Sequence, residues 1–98
     1  MIRHIALFRF KEGTPPESVA AMRTALETLP GRIAEIRRFE VGEDLDLVDG
    51  TFDFAVVAEF DDEDGYRAYA AHAEHTAVST EWVLPITDQL ARVQLRIG

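Results

Sequence analysis

The chain opens on an alternation of side chains. From Ile2 to Phe10 the even positions are Ile, His, Ala, Phe and Phe, and the odd ones set Ile5 and Leu7 between Arg3 and Arg9. Period-two alternation predicts a strand, and apolar residues on both sides predict that both its faces are at least partly buried. "KEGTPPESV" follows, with Thr14 as N-cap, Pro15 at the first helical position and Glu17 three residues beyond the cap. Val19, Met22, Leu26 and Leu29 then recur at helical spacing as one apolar stripe, which "LPGR" ends. A second strand is expected over Ile36–Gly42, followed by a connection through "EDLDLVDGT" with Asp49 and Gly50 as its turn signal. The third strand, "FDFAVVAEF", sets Phe52, Phe54, Val56, Ala58 and Phe60 against Asp53, Ala55, Val57 and Glu59 on a less apolar face. A second helix should run from about Glu63 to near His75. "TAVSTEWVLPITDQ" reads as a short helical turn or loop broken by Pro85. The last strand, Leu90–Ile97, places Ala91, Val93, Leu95 and Ile97 opposite Arg92, Gln94 and Arg96.

The resulting order, βαββαβ, is that of the ferredoxin-like split βαβ motif, an α+β fold with a four-stranded antiparallel sheet. No composition shift or linker divides the chain, so residues 1–98 are read as one domain. Two helices cover only one face of such a sheet, yet Ile5, Leu7, Ala55 and Val57 make the other face partly apolar. Packing two such sheets together in a twofold dimer resolves the conflict.

Composition narrows the function classes. The net charge of -8 repels phosphate backbones and anionic membrane surfaces, which argues against nucleic acid as a partner. The absence of cysteine removes disulfides, zinc fingers, iron–sulfur clusters and thiol nucleophiles. "MIRHIALFRF" has basic residues inside a short apolar run and no cleavage site, and no stretch approaches the roughly 18–20 apolar residues a membrane span needs. A cytoplasmic location is the expectation, with no membrane partner. The acids of "DDED" stand just ahead of a helix, where they complement its dipole and cap its amides.

The candidate chemistry lies in "YRAYAAHAEH", Tyr66 to His75, which holds both tyrosines and two of the three histidines. His72 and His75 are three apart, too few ligands for a metal without further donors, and no metal or organic cofactor is expected. Histidine titrates near neutrality and serves as base and then acid, while a tyrosine hydroxyl can orient it or polarise a carbonyl. His4 on the first strand and the His/Tyr helix should face the same layer between sheet and helices. The two serines, Ser18 and Ser79, stand in no recognised nucleophile context, and no dinucleotide or phosphate-loop motif occurs. Trp82 reads as a core or interface anchor.

"IRHIALFRFKEGT", "YRAYAAHAEHTAV" and the closing apolar strand together resemble the stress-responsive A/B barrel (Dabb) family, over essentially the whole chain. The resemblance implies a ferredoxin-like fold whose sheets pair into a dimeric α/β barrel. A plant polyketide cyclase of that family works without a cofactor, by C2–C7 aldol condensation in a pocket between sheet and helices. Carried over residue by residue, its acid/base histidine falls on His75 and the tyrosine bonded to it on Tyr69. Its other histidines fall on His72 and His4, and its pocket-lining positions on Ala6, Phe8, Val56 and Ala58. Members commonly have proline after the first helix histidine, where this chain has Ala73. Proline drives its predecessor out of the helical region. On an unbroken helix Tyr69 and His75, six apart, point about 120° away from each other. The site therefore requires a break near His72 without proline.

The resemblance leads to a homodimer with a small-molecule pocket and acid/base chemistry such as polyketide-type aldol cyclisation or isomerisation. The rival is a non-enzymatic, stress-responsive or ligand-binding dimer. An antibiotic-biosynthesis-type monooxygenase is disfavoured, because the cofactor-free members of that group use an asparagine and this chain has none.

Overall fold

The computed structural model describes all residues, Met1–Gly98. Four antiparallel strands, β1 (Ile2–Phe10), β2 (Arg38–Glu43), β3 (Phe54–Phe60) and β4 (Thr87–Arg96), form one sheet in the order β2-β3-β1-β4. Helices α1 (Pro16–Glu27), α2 (Glu63–Ala71) and α3 (Ala73–Val78) pack on one face of it. This is the ferredoxin-like architecture that the element order implies. No helix is long and apolar enough to cross a membrane.

Pairing register explains the two-faced strands. Ile2, His4, Ala6 and Phe8 of β1 stand opposite Phe60, Ala58, Val56 and Phe54 of β3, and all eight are buried on the helix side. Val19, Met22 and Leu26 of α1 press onto this layer, joined by Leu29, Ile33, Tyr69, Val78 and Val83. On the opposite face Ile5 pairs with Val57 and Val93, and Leu7 with Ala55 and Ala91. No helix covers that face: Val93 is 47% and Leu95 44% exposed. Glu59, buried at its edge, is paired with Arg3 at 2.9 Å.

Several boundaries differ from expectation, each for a local reason. Pro15, not Thr14, precedes α1, because Pro16 forces Pro15 into an extended conformation (φ −67°, ψ 146°). Thr14 instead closes the preceding turn, its hydroxyl donating to the Lys11 carbonyl at 2.6 Å. Strand β3 starts at Phe54 rather than Phe52, since the Asp53 carboxylate accepts from the Phe10 amide at 2.8 Å where a ladder carbonyl would stand. Strand β2 starts two residues late, at Arg38. Residues 76–86 are helical throughout: α3 passes into a π-helical stretch, Ser79–Val83, and a 3₁₀ turn, Leu84–Ile86, whose first turn accommodates Pro85. Strand β4 begins three residues early, at Thr87, its polar start held by pairing with Phe10 and Arg9.

The break that the site requires is present. Asp62 caps α2 through its carboxylate, which accepts from the Gly65 amide at 2.8 Å. The helix then ends at Ala71, and His72 is extended at φ −66° and ψ 137°. The His72 ring caps the next helix, its Nδ1 accepting from the Glu74 amide at 3.1 Å. Glu74 pairs with Arg32 at 3.2 Å, tying α3 to the end of the α1 segment. Because His72 already has the backbone that a following proline demands, and Ala73 occupies the first helical position, Ala73→Pro should be accepted without rearrangement. It should raise unfolding stability by about 0.4–1 kcal/mol through loss of unfolded-chain entropy, measured by urea titration. Destabilisation instead would show that the break is held differently.

Candidate functional site

Strand β4 lies at the sheet edge, where α2 and α3 do not fully cover it. A cavity of about 330 Å³ remains between this edge and the helices. His4, Ala6 and Phe8 of β1, Val56 of β3 and Leu90 and Arg92 of β4 line its sheet side. Tyr66, Tyr69, His75, Thr76 and, from the π-helical stretch, Ser79, Thr80 and Val83 line its helix side.

The break at His72 gives the site its geometry. Tyr69 before it and His75 after it stack with ring centroids 4.4 Å apart at 50°. Tyr69 lies 6.0 Å from His4 and 5.0 Å from Phe60, also centroid to centroid, and is itself only 3% exposed. No hydrogen bond joins Tyr69 to His75, so the two meet by ring packing. The buried part of the site leaves no side-chain polar atom without a partner.

Second contacts orient the first strand's histidine. The Gln94 side-chain amide donates to His4 Nδ1 at 2.9 Å and reaches the Tyr66 hydroxyl at 3.5 Å. A donor at Nδ1 leaves the neutral His4 ring with its proton on Nε2. Burial, aided by His75 and Arg92, pushes the His4 pKa down to about 4. His75 is also lowered, chiefly by burial, with Arg92 and His72 adding to the shift and the Ala70 backbone opposing it. Tyr69 is raised well above the ordinary phenol value by burial and by Tyr66. At neutral pH the cavity thus holds two neutral imidazoles, a firmly protonated phenol and the Arg92 guanidinium. That combination can take up a proton at an imidazole and donate hydrogen bonds to an oxygen that gains charge.

The expected site residues divide. His4, Tyr69, His75, Ala6, Phe8 and Val56 converge on the cavity. Ala58 lies fully buried beside His4, its register partner, and His72 caps α3 outside the cavity. Alternation along β4 places Arg92 and Gln94 on one face without marking them for the site, and Tyr66, which sequence alone suggests is a half-exposed packing residue, also lines the cavity. Register decides which face: Arg92 stands opposite Ala6 and Gln94 opposite His4, on the helix side. No cluster of three or more His, Cys, Asp or Glu side chains is arranged to hold a metal ion.

A second, larger concavity of about 610 Å³ lies on the uncovered face, between Leu7 and Ala55 and the loop residues Leu45, Leu47 and Val48. It is wide and shallow and lacks a histidine or tyrosine, so it offers no acid/base pair.

Known proteins share this fold. Residues 2–95 match the stress responsive A/B barrel domain. A stress-response A/B barrel domain-containing protein of Arabidopsis thaliana is 30% identical over 86% of this chain and 76% of its own length. The crystal structure of a dimeric ferredoxin-like protein of unknown function from Thermobifida fusca superposes with a TM-score of 0.90 at 43% identity, covering 98% of this chain and 90% of that one. A hydroxynitrile lyase from Passiflora edulis superposes with a TM-score of 0.86 over 99% of this chain and 93% of its own, but at 16% identity that likeness is one of fold alone. The family match spans nearly the whole sequence: the chain belongs to the stress responsive A/B barrel (Dabb) domain family.

Proposed function

We propose that this protein is a homodimer whose cavity binds a small carbonyl compound and catalyses proton transfer beside the carbonyl without a cofactor. The observation that carries the reading is the meeting of Tyr69, His75 and His4 in one mostly apolar cavity. In the forward step the α-carbon proton passes to the neutral His75 imidazole. The C–H electron pair moves into the new carbon–carbon double bond, and the carbonyl π electrons onto oxygen. The Tyr69 hydroxyl donates to that enolate oxygen. In an aldol cyclisation the enolate carbon then attacks a second carbonyl carbon, and the resulting alkoxide recovers the proton from the His75 imidazolium. In an isomerisation the proton returns to a different carbon of the same system.

The low position of the His75 pKa suits this role, because a base must be unprotonated at working pH. Tyr69, shifted the opposite way, suits a donor rather than a base. The homodimer is supported by the uncovered apolar face and by the dimeric state of the Thermobifida fusca relative. A buried sheet-on-sheet contact would cover Ile5, Leu7, Val57, Val93 and Leu95 together.

Two measurements test the reading. Deuterium incorporation into an aryl methyl ketone such as acetophenone in D₂O, followed by proton NMR, should be accelerated by the wild type. His75→Ala should lose about 10²–10⁴-fold of that rate and Tyr69→Phe about 10²-fold, both with unchanged melting behaviour. The wild-type rate should rise with pH through an apparent pKa below the ordinary histidine value of about 6.5, then level off by neutrality. Equal rates for His75→Ala and wild type would overturn the catalytic role, and ligand binding without turnover would define a binding dimer instead. Separately, Val93→Glu places like charges across the proposed contact and should convert the dimer to monomer by light scattering. A dimer that survives this change would place the contact elsewhere.

A further inference from the structure

The cavity differs from the rest of the molecule in its charge. The chain carries 18 acidic residues against 10 basic ones, yet no Asp or Glu lines the cavity. Its only permanent charge is Arg92. Of the nine arginines, seven pair with carboxylates, and Arg9 donates to Gln89 at 3.0 Å. Arg92 alone has no ion pair and no hydrogen bond within the chain. In a protein of net charge -8 an arginine left unpartnered is the exception. It stands on the helix-side face of β4, opposite Ala6, and acts electrostatically on both His4 and His75.

We propose that Arg92 recognises a carboxylate on the ligand, so that the cavity prefers small carbonyl acids to neutral carbonyl compounds. The guanidinium is a planar fork of donors matched to a carboxylate's two oxygens. A single arginine in a cavity of about 330 Å³ with no other permanent charge suits a monoanion better than a phosphate dianion, which calls for more positive charge. The hydroxyls of Thr76, Ser79 and Thr80 line the same cavity and add donors for the ligand's remaining oxygens. With the carboxylate on Arg92, the rest of the ligand extends over Ala6 and Phe8 toward Tyr69 and His75. The inference rests on the same cavity as the catalytic reading and adds the chemistry of its substrate class. An anion seated there also offsets the positive field that helps depress both histidines, so binding should shift their titration upward.

Matched probes test it without knowledge of the natural substrate. Benzoate and salicylate are compared with benzamide and salicylamide by isothermal titration and by NMR shifts of the cavity residues. Each carboxylate should bind at least tenfold more tightly than its amide to the wild type. Arg92→Gln should erase that preference, and Arg92→Lys should keep part of it, with melting temperatures held. Carboxylates that bind no better than their amides, an unchanged preference in Arg92→Gln, or inorganic phosphate binding as tightly as benzoate would each overturn the proposal. His75→Ala separates the two readings. If that variant keeps full exchange activity and the carboxylate preference persists, the catalytic role fails while the recognition stands; if the preference is absent in active wild type, the recognition alone fails.

Discussion

The amide of Glu74 donates to Nδ1 of His72 at 3.1 Å, and around that bond the chain leaves one helix and enters the next. Everything in the cavity depends on this turn. Tyr69 lies before it and His75 after it, and only a change of axis brings their rings to 4.4 Å. A cap of this kind is worth about 1 kcal/mol, and the half-exposed Arg32–Glu74 pair adds less. Most of the hold on the second helix comes from burial, since Val78 and Val83 sit in the core. The cap selects the geometry, and the apolar contacts keep it.

The surroundings then set the charge states. Removing an imidazole from water penalises its cation, and Arg92 adds to that penalty for both His4 and His75. The same removal from water keeps the Tyr69 proton in place. One physical cause therefore acts in opposite directions on acceptor and donor and leaves each in the form that acid/base chemistry asks of it. Gln94 contributes differently, by holding the His4 ring through a neutral hydrogen bond that needs no counter-charge.

Sequence patterns disclosed the sheet better than the site. The alternations of β1 and β3 are strong because each strand is packed on its helix side and carries further apolar residues on the other. The start of β4 was hidden because Thr87, Asp88 and Gln89 are polar, and only pairing with Arg9 and Phe10 makes them strand. Pro85 read as a breaker, yet it stands in the first turn of a 3₁₀ segment, where its missing amide costs nothing. The grouping of His4, Tyr69 and His75 was legible from their elements and from the family resemblance. His72 was expected in the cavity, but the ring that would have reached a ligand is occupied in capping. Sequence alone does not mark Arg92, because alternation separates two faces without saying which one looks inward; that decision belongs to register across strands far apart in sequence.

Register also gives β1 a double reading. Its even-numbered residues, Ile2, His4, Ala6 and Phe8, face the helices and the chemistry, while Ile5 and Leu7 belong to the open face. Two surfaces are thus written in alternate letters of one nine-residue segment. Point substitutions can alter either surface while sparing the other, so ligand preference and association are free to diverge separately among relatives. A single insertion or deletion within the strand has no such freedom, because it exchanges the two messages at once.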